Sequence, residues 1–369
     1  MKKATLLMSG QTDFLKTILK KYFPNMLFRT IVSPSVFNGL PDESSAQKFF
    51  YSTHIQLLYD LTENCVVLLD TEKSISKEII EAIEKWPVKF RKPAKELIKE
   101  LRNKNRFIVA PKEYTLCSQC NIDYCKQCIG IALTCLPNAI FTTEDCCRCV
   151  RNQNLPIQPI DTAEYSTSRF FQYRRQISPL TLKNGEWNQE KFEEQILTPL
   201  FRDAKHIKIY DRMIGRATRD FIPKHYKITL EWVFDIFLQE SSLRSGRIFE
   251  VYTGLDIRSL SNQDINITDI KNVLRQFEAN MQQRYSFPFA LKLKEESGRD
   301  QEMPHGRYLI TDQIGVLIER GFDLLWTDHQ MNDDGLNPRT DDRPIRDVTI
   351  SRILQPNKIE KEVRKLPDL

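Results

Sequence analysis

Eight of the nine cysteines fall between Cys117 and Cys149. Cys117-Ser118-Gln119-Cys120 and Cys125-Lys126-Gln127-Cys128 form two CxxC turns, and Cys135, Cys146, Cys147 and Cys149 follow. A CxxC turn presents two thiolates at the separation a tetrahedral ion needs, and paired turns complete a four-thiolate site. Cys117, Cys120, Cys125 and Cys128 are one such set. Cys117 and Cys120 with two of Cys146, Cys147 and Cys149 are an equal alternative, and eight thiols also suffice for two ions. Structural zinc is the expected metal, with an iron–sulfur cluster as the alternative. A closed four-thiolate site leaves no open position, so the metal is expected to fold this segment rather than to catalyse.

A second group of residues has phosphate chemistry. His305-x-Arg307-x4-Asp312 combines an imidazole, a guanidinium and a carboxylate within eight residues. On a strand, His305 and Arg307 point to one side. Asp211, Arg212 and Arg216 follow another apparent strand, and Arg320 follows the His305 segment; all four are candidate phosphate-site residues. Lys92, Lys95, Lys99 and Arg102 recur at helical spacing, continued by Arg106, and form either a solvated face or a nucleic-acid track. Arg169-Phe170-Phe171-Gln172-Tyr173-Arg174-Arg175 interleaves rings with arginines, which suits base stacking with phosphate contact, or packs as an amphipathic strand. Asp70, with Asp60, Glu63 and Glu72 nearby, is a candidate divalent-ion site.

The whole chain is compatible with such partners without proving them. It has 369 residues, enough for two or three domains. Lys plus Arg outnumber Asp plus Glu by 54 to 49, a net charge of +5. That is too small for a uniformly basic protein but allows one local basic surface. The hydrophobic fraction of 41% excludes disorder over the full length. No apolar run approaches the roughly 18–20 residues of a membrane span. The start has no long apolar core of a secretory signal, so a cytoplasmic location is expected.

Strands and helices alternate over 1–112, which predicts an α/β layer with a mostly parallel sheet. Ala4–Met8, Met26–Val32, Cys65–Asp70 and Phe107–Ala110 read as strands. Helices are expected over 12–22, around Ile79–Trp86 and from Pro93. The cysteine-rich module occupies 113–150, and the proline-punctuated 151–168 reads as a linker. A second α/β region covers 169–326, and 327–369 reads as a polar extension with one strand at Val348–Ile353.

Within 206–325 the order is strand, helix, strand, helix, strand and a hairpin carrying His305. Together with His305-x-Arg307-x4-Asp312, that order resembles the phospholipase D superfamily, whose motif is His-x-Lys-x4-Asp. It is most similar to the phospholipase D-like domain named after MIT C-terminal domains, many of which bind rather than cut. The resemblance implies His305 as a nucleophile toward phosphorus, Arg307 as the holder of phosphate oxygens and Asp312 as support. Arginine stands where the family has lysine, and its planar fork needs a different geometry. A second histidine would come from a partner half in a homodimer, or be absent. The strand ending in Asp70 is similar to PIN-like nucleases. The expected function is therefore nucleic-acid binding at a phosphodiester site in the second region, with nuclease activity in genome defence or nucleic-acid processing. The alternatives are an inactive module that binds an anionic phosphate surface or a protein partner, and a divalent-metal nuclease in the N-terminal domain.

Overall fold

The computed structural model describes residues 26–38, 44–110, 114, 116, 123–143, 157–173, 179–240, 246–261, 266–298 and 301–369. The strand and helix expected before residue 23 lie outside these. The chain divides into two compact units, Met1–Ile177 and Ser178–Leu369. Both are mixed α/β, each built on its own sheet.

The first unit's sheet has the order β3-β2-β1-β4-β5 among the described residues, every pair parallel. β1 (Phe28–Val32), β2 (Cys65–Leu69) and β3 (Phe107–Val109) match the apolar runs. β2 is buried at every position, as expected for a parallel strand covered on both faces. β4 (Ala139–Thr142) comes from the segment read as a cysteine module and lies beside β1. β5 (Gln158–Asp161) comes from the segment read as a linker and lies beside β4. The sheet thus winds outward in both directions from β1, the arrangement of a doubly wound fold.

Helices α1 (Ser44–Asn64), α2 (Ser74–Glu84), α3 (Val88–Asn103) and α4 (Asp123–Cys135) also belong to this unit. α3 starts five residues before Pro93. The amides of Phe90 and Arg91 bond to the Pro87 carbonyl and begin it, and Pro93 sits inside the second turn. Arg169–Tyr173, expected as an extended lead-in, is a short helix. Phe170 is buried with Phe28 and Phe141 at ring separations of 5.3 and 5.0 Å, so it is core and not a stacking platform.

The second unit's sheet has the order β6-β12-β11-β10-β7-β8-β9. β6 is Leu180–Leu182, β7 His206–Tyr210, β8 Ile248–Asp256 and β9 Phe289–Glu296. β10 is Tyr308–Thr311, β11 Gly315–Ile318 and β12 Val348–Ile353. β7, β8 and β9 are parallel, and the remaining pairs are antiparallel. β12 lies between β6 and β11, so the segment read as an extension completes the sheet. Its helices used below are α5 (Arg212–Ala217), α6 (Lys224–Glu240), α7 (Ile267–Tyr285), α8 (Asp328–Asp333) and α9 (Pro356–Arg364). Among the described residues no helix is long and apolar enough to cross a membrane.

Candidate functional site

The carboxyl ends of the parallel strands β7, β8 and β9 converge on one edge of the second unit. In open α/β sheets this is the edge where ligands bind. Asp211 follows β7 and caps α5: its Oδ1 accepts from the Met213 amide at 2.9 Å. Its Oδ2 accepts from the Phe322 amide at 3.0 Å, tying β7 to the turn after β11. Burial pushes the Asp211 carboxyl above its usual range, against the opposing pull of these two amides and of Arg307.

Gly321 has φ +82°, and a Cβ there would meet Asp211 Oδ2 at 2.6 Å and Arg307 Cγ at 2.7 Å. Glycine is required both by that backbone and by the close approach.

The adjacent Arg212 holds the motif histidine. Its Nη1 lies 3.0 Å from His305 Nδ1 and 3.4 Å from Nε2. Its Nη2 donates to Glu302 Oε2 at 3.1 Å. The His305 side chain is 87% exposed, so its outer edge faces solvent. Behind it lies Glu296, at 0% exposure. Glu296 Oε2 accepts from Arg216 Nε at 2.7 Å, Oε1 accepts from the Met303 amide at 2.8 Å, and Arg212 Nε stands 3.6 Å from Oε1. Room for this carboxylate comes from Gly254 on β8, where a Cβ would lie 2.5 Å from the Glu296 carboxyl carbon.

Arg307 Nε lies 3.9 Å from Asp211 Oδ1, and its Nη1 donates to the Glu319 carbonyl at 3.2 Å. Arg320 Nε donates to the Asp323 carbonyl at 3.1 Å. Arg346 Nη1 donates to Asp323 Oδ2 at 2.9 Å and Nη2 to Gln330 Oε1 at 2.9 Å. Tyr226 feels the charges of Asp211, Asp323, Arg307 and Arg320, and its hydroxyl is pushed up chiefly by burial. Burial also lowers the neighbouring His225, whose field comes from Asp323, Arg346 and Arg320.

The structure therefore brings His305, Arg307, Asp211 and Arg212 to one strand end, with Arg216 joined through Glu296. Asp312 is separated from them. Tyr308 pairs with Tyr210 and Thr311 with Ile207, so β10 runs away from the Asp211 end. Asp312 lies beyond it, by roughly 13 Å of strand. There its Oδ1 accepts from the amides of Lys205 and His206 at 2.8 and 3.3 Å. It secures the start of β7 and is not beside His305. Arg212 and Arg216, expected as phosphate ligands, have their charges engaged by buried or half-buried glutamates. The sequence reading missed Glu296, Glu302, Asp323 and Arg346. Gly254, placed where the parallel register puts β8 beside the end of β9, is the one signal that marked space for a buried side chain.

In the first unit, Lys92, Lys95, Lys99 and Arg102 are exposed on α3. Lys95 pairs with Glu84 at 2.6 Å. Arg106 does not extend that face: it is buried and donates to the Cys65 carbonyl at 2.9 Å. Arg174 and Arg175 lie outside the described residues.

Asp70 accepts from the Ile75 amide, the Ser74 amide and the Ser74 hydroxyl at 2.9, 2.9 and 2.8 Å. Burial opposes its ionisation, but these bonds prevail and hold the carboxyl below its usual range. Asp60 accepts from the Tyr165 hydroxyl at 2.6 Å, and Glu63 pairs with Lys104 at 3.2 Å. These acids act as a cap, a buried bond and an ion pair. Among the described residues no three His, Cys, Asp or Glu side chains gather as a metal site.

Of the cysteines, Cys125 and Cys128 are buried one turn apart on α4, and Cys135 ends that helix. Cys125 is disulfide-bonded. Cys117, Cys120, Cys146 and Cys149 lie outside the described residues.

No protein-family model matches the chain, and no curated protein matches it significantly.

Proposed function

We propose that the second unit binds the phosphates of a nucleic acid at the His305 edge and holds them without cutting. The observation that carries this is the Arg212–His305 contact. Arginine only donates, so the ring nitrogen it meets presents its lone pair. Arg212 Nη1 reaches both ring nitrogens, at 3.0 and 3.4 Å, so the lone pair that attack on phosphorus requires is held by the guanidinium. The one N–H of the neutral ring, with Arg307 and Arg320, makes a set of phosphate ligands. Arg212 and Arg216 position that set through Glu296 and Glu302. Asp312 has no part in it, consistent with a degenerate relative of the phospholipase D-like domains.

Phosphate binding of this kind releases counterions. Affinity for a single-stranded oligonucleotide should fall with salt, and Arg307→Ala or Arg320→Ala should each flatten the log–log slope by about 0.7. Fluorescence anisotropy across a salt series reads this. Slopes unchanged in both variants would place the phosphates elsewhere, with the exposed α3 lysines as the next candidates.

The cysteine segment is read as a structural metal module in the first unit. Cys125 and Cys128 bring two sulfurs together on one helical turn. Two sulfurs close enough for the Cys125 disulfide are also close enough to share an ion, and the two arrangements exclude each other at that thiol. Elemental analysis of protein purified under reducing conditions should find zinc, or iron in the cluster alternative. Neither metal, with a two-hydrogen mass deficit that thiol treatment restores, would leave the disulfide as the staple.

A further inference from the structure

The loop after α5, the first turn of α6 and one face of α7 line an open cavity of about 290 Å³. That is close to the lower limit of small-molecule sites, the size range of a single base or nucleoside. Its walls carry two rings of different character. Both line it, but Phe277 is buried, whereas Phe221 is 68% exposed. An exposed aromatic ring beside a cavity offers a face on which a flat ring can stack. Gln276 and Asn280 line the same cavity one turn apart on α7, both exposed. Their side-chain amides make no hydrogen bond among the described residues, so each offers donors and an acceptor. Asp220 adds an acceptor. Lys227 also lines the cavity and has no ion-pair partner among the described residues, while Lys224 is paired with Asp328.

Aromatic rings, free amides and a lysine around a base-sized volume match the chemistry of a nucleobase with its own phosphate. The cavity also has a defined relation to the His305 edge. Lys224 and Lys227 face it from the first turn of α6. Lys224 pairs with Asp328 on α8, Arg346 joins Gln330 of the same helix to Asp323, and Arg320 donates to the Asp323 carbonyl. An unbroken run of contacts thus leads from the cavity wall to Arg320.

We propose that this cavity receives one unpaired nucleobase of a single strand whose neighbouring phosphates lie against Arg307 and Arg320. The inference rests on the nucleic-acid reading above and adds the strand state of the ligand. A base held in a stacked duplex does not enter, so the protein selects single-stranded over double-stranded nucleic acid.

The test compares an oligothymidylate with an abasic strand of equal length, which keeps the phosphates and lacks the bases. The wild type should bind the oligothymidylate roughly tenfold tighter, the effect of one stacked base. In Phe221→Ala that preference should vanish while affinity for the abasic strand stays unchanged. Gln276→Ala combined with Asn280→Ala should reduce it, and Phe221→Tyr should retain it. All these positions are exposed, so the fold is not at stake. Equal affinity of the wild type for both strands, or a preference that persists in Phe221→Ala, overturns the cavity while leaving the phosphate site standing. Binding of neither strand overturns both.

Discussion

Glu296→Ala should destabilise the second unit by about 3–5 kcal/mol, the cost of leaving buried charge uncompensated. The carboxylate has no exposure and stands between Arg212 and Arg216, while also accepting the Met303 amide. Its removal leaves the partly buried Arg216 without its ion pair, leaves Arg212 with Glu302 alone, and takes the acceptor from the buried Met303 amide. It also releases Arg212, so the exposed His305 loses its backing. In a unit of this size each kcal/mol moves the melting midpoint by about 2–4 °C, so a drop of roughly 10 °C is expected. Glu296→Gln keeps the volume beside Gly254 and one acceptor oxygen, and should cost less. Urea unfolding followed by the fluorescence of Trp187, Trp232 and Trp326, all in the second unit, measures both. A loss under 1 kcal/mol for the alanine variant would mean that the network is not what holds this edge.

The second large effect belongs to the first unit and depends on pH. His54 is buried among Phe37, Phe50 and Trp86, with the Phe50 ring 4.0 Å away. Its Nδ1 meets the Phe50 carbonyl at 2.7 Å, and Nε2 has no partner. Burial lowers its pKa from 6.5 to about 4. The unfolded chain therefore takes up a proton that the folded chain refuses. Stability is complete above pH 6.5 and declines as pH falls toward about 4, where the folded histidine also protonates. At about 1.4 kcal/mol per pH unit, the loss over that window is about 3 kcal/mol. His54→Leu should remove this slope and leave the acid response of the carboxylates in place. Denaturation midpoints of the two proteins across the window supply the comparison. Parallel curves would show that His54 is not the titrating group.

Much of the architecture was readable because apolar runs announce buried strands. Cys65–Leu69 could only be a strand covered on both faces, and His206–Tyr210 carried the alternation that opens the second sheet. Elements made by tertiary contact were harder to read. Gln158–Asp161 is short and flanked by prolines, and becomes a strand because β4 offers it a parallel edge. Arg169–Tyr173 alternates like a strand, yet Phe170 turns inward from a helix because Phe28 and Phe141 need covering.

The site divides in the same way. Asp211 and Arg212 were legible from their place after a strand, whereas His305 and Arg307, expected on a strand, lie in the irregular segment just before β10. Asp312 was grouped with them because its motif spans eight residues, but four residues of extended chain carry it to the opposite end of β10. The Glu296 network could not be read, because it joins β9 to α5 across a gap that only the parallel register of β8 and β9 creates. Pairing of Arg346 with Asp323 required knowing that β12 returns beside β11.

The central claim is that the His305 edge binds a nucleic-acid strand and leaves it intact. End-labelled single strand is mixed with wild type and with His305→Ala, with and without chelator, and each sample is read twice, for bound fraction and for strand length. The account predicts retention of a full-length strand by the wild type, weaker retention by His305→Ala and no shortening in either. A strand shortened by the wild type in chelator and spared by His305→Ala would contradict it, and would make His305 a nucleophile.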